Sequence, residues 1–150
     1  MTPKQELAKF LAKYDPAIAM QTNKALRKMR ALVPGAVEMV YDNYNALVIG
    51  FGPNEKASLA VFSLAILPQW VTLCFLQGAK LPDPEKRLQG SGNVARHIRL
   101  TPLDVLDGPS TLRLIKVALE RAKVAIDPKQ KSYMVIKSVS KKQRPRRTGK

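Results

Sequence analysis

Five short apolar runs separated by turn signals dominate the middle of the chain: Val37–Tyr41, Ala46–Phe51, Leu59–Leu67, Trp70–Phe75 and Arg96–Leu100. Asp42-Asn43, Gly52-Pro53-Asn54, Pro68-Gln69 and Gln77-Gly78 punctuate them, and runs of this length between such residues read as strands. The first four lie too close together for the crossovers of a dozen or more residues that parallel neighbours require. The spacing predicts a meander of about five antiparallel strands.

The flanks follow a helical period. Thr2-Pro3-Lys4-Gln5 is a helix start, with Thr2 as N-cap, Pro3 at the first helical position and Gln5 placed to close a capping box. Leu7, Phe10, Leu11 and Tyr14 then form one stripe. Asp15-Pro16 repeats the start signal, and a second helix is expected to about Val33, with Ile18, Ala25, Leu26 and Met29 inward. Gly108-Pro109-Ser110 opens a last helix, with Leu112, Ile115, Ala118, Leu119 and Ala122 expected on one face. Thr101–Asp107 reads as a short helical turn before it. Ser132–Val139 is strand-like, and whether it joins the sheet stays open at this level.

The expected fold is therefore a two-layer α+β domain with about five antiparallel strands, two N-terminal helices and one C-terminal helix. At 150 residues the chain fits one domain and can bury about two-thirds of its unfolded surface. No apolar run approaches the roughly 20 residues of a transmembrane helix. The N-terminal residues carry charge and a proline where a signal peptide needs an apolar run, and Cys74 is the only cysteine, so no internal disulfide can form. The expected location is the cytoplasm.

Charge enters through its distribution. The chain holds 26 Lys and Arg against 11 Asp and Glu, for a net +15. Residues 129–150 carry nine of those cations and no acid. The division expected is a folded domain over 1–128 and a flexible basic tail over 129–150, disordered from Lys141 onward. A polyanion gains counterion-release entropy on binding such a segment. Lys141, Lys142, Arg144, Arg146 and Arg147 are the candidate nucleic-acid contacts, with Arg27, Lys28 and Arg30 as a supplement. No zinc finger or aromatic RNA-binding signature accompanies them, so the expected contact is non-specific.

Val40-Tyr41-Asp42-Asn43-Tyr44-Asn45, the Phe75–Pro84 stretch, and Leu88–Asn93 running on to Arg96-His97-Ile98-Arg99-Leu100 resemble the YdhG-like family, a bacterial domain-of-unknown-function group. The likeness covers about residues 5–125 and implies an antiparallel sheet with helices packed on one side. Some relatives are discussed as frataxin-like iron chaperones, a role that the resemblance carries here as a third reading. It needs a ridge of carboxylates, because hard iron prefers oxygen ligands. The first helix offers only Glu6, with Asp15 beyond it.

A second reading is a small-ligand or anion site between residues 41–45 and 90–99. Tyr41, Asn43 and Tyr44 would supply apolar walls and amides. Gly90 and Gly92 would let main-chain N–H groups approach an anion that Arg96 and Arg99 contact. Each has an ordinary structural reading beside it: a packed tyrosine, turn asparagines and a tight glycine turn. His97, the only histidine, reads as a strand residue without an evident nucleophile, Cys74 as a small buried apolar group, and Trp70 as a core-rim anchor. Catalytic, metal and cofactor motifs are not evident, and the expectation is a non-enzymatic binding protein.

Overall fold

The computed structural model describes residues 1–100 and 102–148. Thr101, the first residue of the expected helical turn, and Lys150, the last of the nine cations, lie outside them. Among these residues, three α-helices, α1 (Pro3–Leu11), α2 (Pro16–Leu32) and α3 (Pro109–Glu120), accompany six strands: β1 (Val37–Asp42), β2 (Leu47–Gly52), β3 (Phe62–Ile66), β4 (Val71–Phe75), β5 (Arg96–Arg99) and β6 (Tyr133–Val139). The architecture is α+β. The sheet order is β5-β4-β3-β2-β1-β6.

The capping box forms as expected: the Thr2 N–H donates to Gln5 Oε1 at 2.8 Å, and the Gln5 N–H donates to Thr2 Oγ1 at 3.2 Å. β1 to β5 form the antiparallel meander. On one sheet face Val40, Ile49, Leu64, Leu73 and Ile98 make a continuous cross-strand row, and Phe51, Phe62 and Phe75 make another. The helices' buried Leu7, Phe10, Leu11, Ile18, Leu26, Met29, Leu114 and Ile115 join these rows in one core. The opposite face carries half-buried Tyr41, Val48, Ala65 and Cys74, the alternation of a one-sided antiparallel sheet.

Three expectations are corrected. The sheet has six strands and is mixed, because β6 pairs in parallel with β1. Met134 and Ile136 pack on the core from this edge, and their burial draws the segment in. The connection is also pinned: Gln130 Nε2 donates to the carbonyls of Gly35 and Pro53. Gly35 adopts φ +84°, and a Cβ there would run into the Asp127 carbonyl. On α3, Leu112 is exposed while Thr111 and Leu114 turn inward. A boundary after 128 would therefore cut through the fold. No helix among the described residues is long and apolar enough to cross a membrane.

Candidate functional site

Asp42 ends β1 on the core side of the sheet, where its carboxylate is completely buried. An isolated ionised carboxylate in such a place is costly, and two cations offset the cost. Lys13, just past α1, donates from Nζ to Oδ2 at 2.6 Å, and Arg146 donates from Nη2 to Oδ1 at 3.0 Å. Burial pushes the Asp42 carboxyl up, but the hydrogen bonds of Lys13, Gln143 and Arg146 outweigh it and hold the group below its ordinary value.

Arg146 is itself buried, donating further to the carbonyls of Asn43 and Tyr44. Its guanidinium lies 5.8 Å from the centre of the Tyr14 ring. Tyr14 braces the same corner: its hydroxyl donates to the Ile66 carbonyl at 2.7 Å and accepts the Leu47 N–H at 3.1 Å. Burial raises the Tyr14 phenol, against the main-chain bond from Leu47 and the nearby Arg146 charge. Arg147 reaches the carbonyls of Ala12 and Lys13 at 3.3 Å and lies 3.8 Å from Asp15. A cation at the carbonyl end of α1 is favourably placed. Thr148 also donates to Asp15.

The expected disordered tail is thus replaced by an ordered segment lying along the β1–β2 hairpin. Ser140 N–H donates to the Asp42 carbonyl and Arg144 N–H to the Tyr44 carbonyl, at 2.8 and 2.9 Å. Arg146 and Arg147, two of the five candidate contacts, are committed to this anchoring. Lys141, Lys142 and Arg144 face solvent, and among the described residues none of them has a carboxylate within 4 Å. Tyr44 stands beside them at the hairpin tip with 52% of its surface exposed. Of the supplementary cations, Lys28 pairs with Asp107, and Arg30 makes a two-pronged pair with buried Glu38.

The second pair of segments does not meet. β5 and β1 stand four strand spacings apart in the sheet, about 19 Å at ~4.8 Å per strand. Asn43 and Tyr44 lie in the β1–β2 turn and Tyr41 on the outer face, while Gly90 and Gly92 lie in the loop entering β5. Arg96 donates to the carbonyls of Gly92 and Ala95, so it closes its own loop. Arg99 stacks on Trp70 at 3.7 Å.

His97 sits directly across from Cys74, and Cys74 across from Ser63, a juxtaposition that sequence spacing alone does not reveal. No side-chain hydrogen bond joins His97 to Cys74 among the described residues. Burial raises the Cys74 thiol despite the Ser63 hydrogen bond, the reverse of an activated thiolate. No three His, Cys, Asp or Glu side chains cluster as metal ligands among the described residues.

Comparison of the chain with protein families, curated proteins and solved structures finds no match.

The sequence reading missed the anchoring of the C-terminal segment. The available signal was the strand-like run Tyr133–Val139 just before the basic cluster: once it joins β1, it carries the following cations to the hairpin.

Proposed function

We propose that this chain is a non-enzymatic cytoplasmic protein that contacts nucleic acid non-specifically through an ordered basic surface at the β1–β2 hairpin. The observation that carries the reading is the division of labour in the C-terminal segment. Arg146 and Arg147 fasten it, while Lys141, Lys142 and Arg144 remain exposed, without acidic partners among the described residues, beside exposed Tyr44. Cations supply phosphate contact without reading sequence, and an aromatic ring offers one stacking platform for an unpaired base. The net charge of +15 adds long-range attraction to any polyanion. The single cysteine suits a reducing compartment, and the motif likeness to YdhG-like domains accords with helices on one sheet face.

The test is binding of duplex DNA and of single-stranded RNA across a salt series, comparing the wild-type chain with a Lys141→Ala/Lys142→Ala/Arg144→Ala variant. Each lost phosphate contact on duplex DNA should reduce the slope of log K against log salt by about 0.9, so the triple variant should flatten it by nearly 3. Tyr44→Ala should weaken RNA binding by ~1–3 kcal/mol and leave duplex binding nearly unchanged. A triple variant with wild-type affinity and slope would remove the hairpin surface from the function.

A further inference from the structure

Away from the hairpin, a cavity of about 450 Å³ opens between the start of β3, the end of β4 and the C-terminal end of α3. Its size falls within the ~300–1,000 Å³ range of small-molecule sites. The floor is apolar: Val61, Phe75 and Ala118 are buried there, with half-buried Leu59 and Leu81 as walls. The rim is cationic. Lys80, Arg121 and Lys123 line it with Gln77, and no acidic residue contributes to the lining.

Two of these cations have a simpler use. Arg121 and Lys123 follow the carbonyl end of α3, where positive charge offsets the helix dipole. Lys80 has no such relation to α3. It arrives on the connection after β4, and its main-chain carbonyl accepts from Arg121 Nη1 at 2.8 Å, which fixes the two rims together. Among the described residues neither Lys80 nor Lys123 has a carboxylate within 4 Å. Three cations from two elements thus line one cavity with an apolar floor.

We infer that this cavity binds an organic anion with an apolar body and one carboxylate, the body on Phe75, Val61 and Ala118 and the carboxylate among Lys80, Arg121 and Lys123. A polyphosphate fits poorly, because the floor supplies carbon where such a ligand needs donors. The site shares no residue with the hairpin surface, so either can fail alone.

The test uses decanoate and its neutral counterpart decanol, by calorimetry on the full chain. Decanoate is expected to bind at one site about tenfold or more tighter than decanol, the value of one charge-assisted hydrogen bond. Lys80→Ala/Lys123→Ala should bring decanoate down to decanol's level, Ala122→Phe should block both, and Lys141→Ala/Lys142→Ala/Arg144→Ala should change neither. Melting temperatures identify any variant that fails to fold, and for such a variant the shifts of the Leu59, Val61 and Leu81 methyl resonances on adding decanoate to wild-type protein decide the location. Equal binding of decanoate and decanol would show that the cations take no part in binding and would overturn the inference. Unchanged binding by a folded Ala122→Phe, or methyl shifts confined elsewhere, would do the same.

Discussion

Asp42 and Arg146 are the two residues on which one corner of the molecule depends. Both side chains are almost wholly removed from water. Removing one partner of a buried pair typically costs ~3–5 kcal/mol, because the other is left uncompensated. Lys13 stays beside Asp42, which places Arg146→Ala near the lower end, about 3 kcal/mol. That corresponds to a fall in melting temperature of roughly 6–12 °C in a chain of this size, measurable by calorimetry at neutral pH. Asp42 also sets a pH dependence. Its folded value is held below the unfolded one, so its stabilisation is complete above the unfolded carboxyl value of about 3.9 and is lost as pH falls through the folded value. Melting temperatures of wild-type protein and Asp42→Asn should therefore converge as pH is lowered from 6 to below about 3. A constant gap across that series would exclude Asp42 from the acid response.

At the scale of elements, β6 is what turns the C-terminal segment from an arm into part of the fold. It covers the edge of β1 that the meander leaves open, and its own outer edge carries Lys137. Exposed strand edges invite pairing with other chains. A chain ending at 128 should consequently melt lower and self-associate more than the full chain, as read by light scattering. One ending at Val139 should keep the covered edge and lose the whole anchoring segment that follows it, Arg146 and Arg147 included. An unchanged mass distribution after truncation at 128 would show that β1 needs no cover. The helices and five strands were legible in the sequence because each carries a local signature: a capping box, a proline at a first turn, a period of two between turn residues. β6 was legible as a strand and not as a neighbour of β1, since parallel pairing across most of the chain leaves no local trace. The same holds for the site. Lys141, Lys142 and Arg144 stand out by charge alone, whereas the burial of Arg146 depends on Asp42, 104 residues earlier.

The whole molecule divides its cations by task. Some are structural: Lys13, Arg146 and Arg147 near the hairpin, Arg30 on Glu38, and Arg96 on its own loop. Others face water at two separate places, the hairpin surface and the rim of the cavity by α3. The pocket expected between residues 41–45 and 90–99 failed because the expected meander itself sets its first and fifth strands four spacings apart. The long separation of Asp42 from Arg146 also has a meaning in time. A ribosome adding about 5–20 residues per second makes the carboxylate roughly 5–20 s before the guanidinium that will cover it. Only between the completion of β5 and the arrival of β6 can the nascent chain hold a five-stranded sheet with a bare edge and one lysine to answer a sinking negative charge, so the chain is most exposed to misassembly just before its final strand arrives.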